Sequence, residues 1–239
     1  MTHVRRSRAG KAYEMTHTAK EMKFLATPGK GEVSALLVRP DDASHLLVLG
    51  HGASTNMRHA TLATIAERMT GAGIATFRYN FPYMEHGTGR DGREVCTATV
   101  RSAVAAAHRA APDIPLLAGG HSFGGRMTST AASESPLDGV DGLVFFSFPL
   151  HQPGKPDTKR AEHLSAVTVP MLFLSGTRDE LADLDLLQPV CKKLGERATL
   201  HLLDTADHGF RTLKRSRKSE EDIFDEMARI VREWASTLT

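Results

Sequence analysis

The chain has 239 residues, of which 41% are hydrophobic and 24% charged, and its formal net charge is +2. These are the proportions of a globular protein with one α/β domain or two small ones, not of a disordered chain. No apolar run approaches the roughly 20 residues that would span a bilayer, which argues against a membrane protein.

The charge is unevenly placed. Residues 1–20 carry five Lys/Arg and one Glu, which leaves the rest of the chain at −2. A nearly neutral body argues against nucleic acid as a partner. Arg5, Arg6 and Arg8 have no apolar stretch behind them, so they do not read as an export signal. The tripeptide Met-Thr-His occurs at Met1 and again at Met15. Residues 1–14 therefore read as a disordered extension or a misplaced start, with 1–19 as extension and 20–239 as one folded domain. Cys96 and Cys191 lie far apart with no metal-ligand spacing, which suggests free thiols in a reducing cytoplasm.

The first predicted strands are Glu21–Thr27 and Glu32–Val38, joined by a Pro-Gly-Lys-Gly turn suited to an antiparallel pair. His45–Leu49 follows as a near-continuous apolar run, the pattern of a strand buried on both faces. A helix stripe at Leu62, Ile65, Ala66 and Met69 closes at Gly71–Gly73. Strand Ile74–Arg78 precedes an Ala-rich helix over 93–111, which stops before Pro112. Pro115–Gly119, a helix over 124–133, Gly142–Ser147, Pro170–Ser175, a helix over 181–194 and Ala198–Leu203 come next. The last helix shows Ile223, Phe224, Met227, Ile230, Val231 and Trp234 on one face, with Ser219 and Asp222 as its expected capping pair. Eight strands alternating with helices imply a mostly parallel sheet flanked by helices.

Gly120-His121-Ser122-Phe123-Gly124 falls between a predicted strand and a predicted helix. Such a turn exposes a serine hydroxyl at the sheet edge, and glycines two positions away relieve crowding. A serine nucleophile needs a base, and His208 lies in the loop after the last strand, at the same edge. The base needs an acid to orient it. Asp179, after the strand ending in Ser175, is the candidate, with Glu180, Asp183 and Asp207 as rivals. The oxyanion of a tetrahedral intermediate needs backbone donors. Phe123 supplies one, and Ala53 (or Ser54) in the loop after the third strand supplies the other.

These motifs, in order, resemble those of the α/β-hydrolase superfamily over about residues 20–239. The segments HGAS…MRH, ATFRYNFPY, GGHSFGGRM, FPLHQPGKP, GTRDE and DHGF are similar to those of compact, dienelactone-hydrolase-like bacterial hydrolases. The resemblance implies hydrolysis of an ester or related acyl bond on a small substrate, without a cofactor. Ser122 stands where dienelactone hydrolases proper carry cysteine, which argues against dienelactone as the substrate. The stretch Phe148–Val169 is too short for a cap domain. His51, His121, Tyr79, Phe81 and Tyr83 are candidate pocket residues, with loop packing as the alternative for the aromatics. A homodimer is compatible with the sequence. So is a non-catalytic scaffold on the same fold, or a thioesterase or peptidase with the same triad. A metal site at His51, His121 and His208 is the third reading, but zinc-type spacing is absent and no metal is expected. The basic run from Arg211 to Lys218 is expected to face water.

Overall fold

The computed structural model describes residues 18–238. The extension expected at 1–19 lies outside them except for its last two residues, which are exposed and without regular structure.

Strand β1 (Lys20–Thr27) pairs antiparallel with β2 (Gly31–Val38) across the expected turn, closed by Lys30 N–H donating to Thr27 O at 3.1 Å. The chain continues through β3 (His45–Gly50), α1 (Ala60–Gly71), β4 (Ile74–Tyr79), the short α2 (Pro82–Glu85) and α3 (Arg93–Ala110). Then come β5 (Leu116–His121), α4 (Phe123–Glu134), β6 (Val140–Phe146), a 3-10 segment Lys159–Ala166 and β7 (Met171–Gly176). Helix α5 (Leu184–Leu194), β8 (Ala198–Leu203) and α6 (Ile223–Ala235) complete it. The eight strands form one sheet in the order β1-β2-β4-β3-β5-β6-β7-β8. From β4 to β8 every neighbouring pair is parallel, while β2 runs antiparallel to both its neighbours.

Side chains alternate across each strand, and the central strands are near-continuous apolar runs, so they serve two cores at once. Leu46, Val48, Leu116, Ala118, Leu143, Phe145, Met171 and Phe173 pack toward α3, α4 and α5. Leu47, Leu49, Leu117, Val144, Phe146, Leu172 and Leu174 pack on the other face, toward α1 and α6. Burying each such side chain stabilises the fold by ~1.5–3 kcal/mol.

Some boundaries differ from the sequence pattern. The helix expected to begin at 181 begins at Leu184, because Asp183 caps it by accepting from Asp185 N–H at 2.9 Å. Asp222, not Ser219, is the N-cap of α6, accepting from Phe224 N–H at 3.0 Å, while Ser219 turns the chain before it through Glu221 N–H. Strand β6 starts two residues early and ends before Ser147, whose φ of 57° turns the chain out of the sheet. Neither α2 nor the 3-10 segment is marked by apolar periodicity, since each is too short to show a stripe. The chain between β6 and β7 carries only that segment and no cap domain.

Candidate active site

Strand β5 runs straight into Ser122, and α4 starts at the next residue. Ser122 has φ 51° and ψ −112°, a conformation that costs a non-glycine residue about 1–3 kcal/mol. The strain is held in place by close packing on β3. A Cβ on Gly120 would sit 2.3 Å from Gly50 O, and one on Gly124 would sit 2.2 Å from the same atom. Only glycines at 120 and 124 let the turn lie against the end of β3. Ser122 N–H donates to Phe146 O of β6 at 2.9 Å, which anchors the turn on its other side.

His208 reaches this turn from the loop after β8. Its Nε2 lies 2.8 Å from Ser122 Oγ, and its Nδ1 lies 2.9 Å from both oxygens of Asp179. The Asp179 side chain is fully buried, and Oδ1 also accepts from Leu181 N–H at 2.8 Å. The ring is thus held as the tautomer with a proton on Nδ1, leaving Nε2 to accept from Ser122 Oγ–H. The rival carboxylates are engaged elsewhere or point away. Asp183 caps α5, and Glu180 is exposed. Asp207 accepts from Gly209 and Arg211 N–H, both at 2.9 Å, and so shapes the loop that carries His208.

The candidate backbone donors are Phe123, next in the chain to Ser122, and Ala53, whose neighbour Gly52 faces the His121 ring. The N–H groups of Phe123 and Ala53 have no hydrogen-bond partner among the described residues. Phe123 N–H opens helix α4, where the helix dipole favours negative charge. The segment bearing Ala53 is pinned by three hydrogen bonds. His51 Nε2 accepts from Phe81 N–H at 3.0 Å while its Nδ1–H donates to Gly52 O at 2.7 Å. The Tyr83 hydroxyl donates to Ala53 O at 3.0 Å, and burial pushes its phenol pKa up, so it stays a donor.

Four of the five expected pocket residues are buried. Tyr79, Phe81 and His51 are fully buried, and Tyr83 is 3% exposed, so none of them faces an acyl group in open solvent. Tyr79 packs beneath Gly50, and Phe81 and Tyr83 stack with ring centroids 6.1 Å apart. Their work is to build the segment that carries Ala53. His121 is half-buried, with its Nε2–H donating to His208 O at 3.1 Å. Burial lowers the pKa of both His51 and His121 to about 4. No group of three or more His, Cys, Asp or Glu among the described residues is placed to hold a metal ion.

Arg211, Lys214, Arg215 and Lys218 of the basic run are exposed as expected, and one member departs. Arg217 folds inward, pairing with Glu226 and the Glu221 carbonyl, and Glu226 meets His201 Nε2 at 2.8 Å. The sequence offered no sign of this, because the partner carboxylate lies on α6.

The sequence profile of a family described as "Alpha/beta hydrolase domain" matches residues 43–236. The chain belongs to this alpha/beta hydrolase family. Solved structures of the fold superpose over nearly the whole chain. A serine hydrolase without lid from Xanthomonas campestris matches at TM-score 0.71 and 21% identity, covering 90% of this chain and 94% of that one. Dienelactone hydrolase from Anabaena variabilis gives 0.68 and 19%, covering 92% and 99%. An esterase from Pyrococcus furiosus gives 0.70 and 15%, covering 93% of each. As an alpha/beta hydrolase the chain has the eight-stranded, capless form of the fold, with the Ser122 turn at the carboxyl edge of its parallel strands.

Proposed function

We propose that this alpha/beta hydrolase is a serine hydrolase that cleaves an ester-type acyl bond of a small substrate through an acyl-enzyme. The observation that carries the reading is His208, which bridges Ser122 Oγ at 2.8 Å and Asp179 at 2.9 Å. His208 Nε2 takes the hydroxyl proton as Ser122 Oγ attacks the acyl carbon. Asp179 keeps the ring aligned and offsets the positive charge that forms on it. The tetrahedral oxyanion is received by the N–H groups of Phe123 and Ala53. His208 then hands its proton to the leaving oxygen, and the same base activates a water that releases the acid. The overall reaction consumes only water.

In this reading residues 20–239 act as one catalytic domain. The two buried cysteines, Cys96 and Cys191, are free thiols and suit a reducing cytoplasm.

A fluorophosphonate probe tests the assignment. Labelling of wild type at Ser122, lost in Ser122→Ala together with hydrolysis of short-chain 4-nitrophenyl esters, is the expected result. A Ser122→Ala protein with full activity would sink it. A panel of esters, thioesters and amides of equal acyl length ranks the bond types that one triad can serve.

A further inference from the structure

Beside Phe123 the surface opens into a cavity of about 570 Å³. Its floor is the face of α4 that carries Phe123 and Arg126, and its walls come from residues 90–93 and from the 3-10 segment. Five basic side chains line it against two carboxylates, Asp91 and Glu162. Asp91 is already claimed, by Lys30 Nζ at 2.7 Å and by Tyr83 N–H at 2.8 Å. Arg93 leans to Glu134 at 4.0 Å, outside the cavity, and Glu162 is exposed on the rim beside Lys159.

That leaves Arg126, Arg90 and Arg160 with no carboxylate paired to any of them among the described residues, although Arg160 spends one donor on His151 O at 2.8 Å. Arg126 is the half-buried member. Its Nε is enclosed and has no hydrogen-bond partner among the described residues. Burial lowers its affinity for the proton, and the charges of Arg160 and Arg90 lower it further. Like charges gathered in a partly desolvated cleft cost stability, and an anion with several acceptor oxygens would offset that cost. The cavity adjoins the Ser122 turn through the first turn of α4. Arg126 lies one helical turn, about 5.4 Å along the axis, from Ser122, and its N–H donates to Ser122 O. The guanidinium carbons of Arg90 and Arg126 sit 5.7 and 5.6 Å from the Phe123 ring centroid, which tethers both next to the candidate oxyanion donor.

We propose that this cavity receives an anionic group carried by the substrate, a carboxylate or a phosphate, held by Arg126, Arg90 and Arg160 while the scissile acyl bond lies at Ser122. The proposal rests on the serine-hydrolase reading and names its substrate class. A planar guanidinium fork matches two oxygens of either anion, so the shared chemistry is an oxyanion a few bonds from the reacting carbonyl.

The test compares ethyl butyrate with monoethyl succinate, followed by acid release, because an alkyl hemi-ester is stable where an activated aryl one closes to the anhydride. Wild type should favour the anionic ester in kcat/KM by about tenfold, and the preference should shrink as salt is raised. Arg126→Gln should cut that ratio by about tenfold, whereas Arg126→Lys keeps part of it. If Arg126→Gln does not fold, Arg160→Gln at the cavity wall is the second variant, read by the same ratio. Equal kcat/KM for the two esters in wild type, unmoved by either variant, overturns the proposal and leaves the serine hydrolase standing. Failure of the hydrolase reading looks different, because neither ester is cleaved and the probe does not label Ser122. In that event calorimetry with succinate and with inorganic phosphate decides: binding that is lost in Arg126→Gln supports an anion site, and no binding to wild type overturns it. The stronger of the two ligands also tells carboxylate from phosphate.

Discussion

His121 Nε2–H donates to the backbone carbonyl of His208 across 3.1 Å, so the residue before the candidate nucleophile holds the candidate base. The two rings lie 5.5 Å apart, and His121 also packs against Phe210, in the same loop as His208. His121→Ala should therefore loosen the His208 loop without touching substrate. The expected outcome is a fall in kcat of about fivefold to tenfold with KM little changed, the size of one lost buried hydrogen bond. Steady-state kinetics on a neutral ester reads it. A drop in KM-dependent binding alone would contradict this placement.

Acid should destabilise the protein through its buried and half-buried histidines. Burial lowers the pKa of His51, His121 and His163 to about 4, below the ordinary value of 6.5. Between those values the unfolded chain binds protons that the folded one excludes. Stability from this source is fully present above pH 6.5 and is lost as pH falls toward 4. Urea midpoints measured at pH 7.5, 5.5 and 4.5 should decline in that order, and His163→Gln should flatten the decline.

Asp179 and Asp207 should separate cleanly by kinetics. Asp179→Asn leaves the ring in the wrong tautomer and should lower kcat by about 10⁴-fold. Asp207→Ala removes two hydrogen bonds that shape the His208 loop. It should act mainly on stability, by ~1–3 kcal/mol, with a smaller loss of rate. The reverse ranking of the two variants in kcat would show that the acid had been misassigned.

Tyr83→Phe tests the segment that presents Ala53. Losing the hydroxyl that donates to Ala53 O should lower kcat by roughly fivefold while the ring stays packed. Denaturation monitored by fluorescence should place the variant near wild type, so that the rate effect stands alone.

Gly124→Ala should be far more severe than its one added methyl suggests. The new Cβ would meet Gly50 O at 2.2 Å, backbone against backbone, with no side chain to yield. A loss of more than about 3 kcal/mol is expected from such overpacking. A variant that unfolds at the wild-type denaturant midpoint would mean that the β5–α4 turn does not press on β3.

Much of this protein is legible in its sequence, for local reasons. The apolar runs of β3, β5, β6 and β7 announce strands covered on both faces. The stripe from Ile223 to Trp234 announces α6, and the Gly-x-Ser-x-Gly turn places Ser122 between a strand and a helix. Chain order then puts Asp179 and His208 at the edge where Ser122 emerges. Each inference needs only side-chain periodicity or the handedness of strand–helix–strand units, which neighbouring residues specify.

The tertiary structure decided what depends on partners far along the chain. Local pattern left four carboxylates as candidates for orienting His208. Only the meeting of the β7 and β8 loops selects Asp179, whose two oxygens both lie 2.9 Å from His208 Nδ1. Tyr79, Phe81 and Tyr83 read equally well as pocket wall or packing. Folding buries all three, Tyr79 against Gly50 and Tyr83 against the Ala53 segment. Arg126, Arg90 and Arg160 come from three separate segments, so their shared cavity beside Phe123 exists only after folding. A sequence specifies which groups a residue type can offer, while distance, burial and the competition for hydrogen-bond partners determine which offer is taken up.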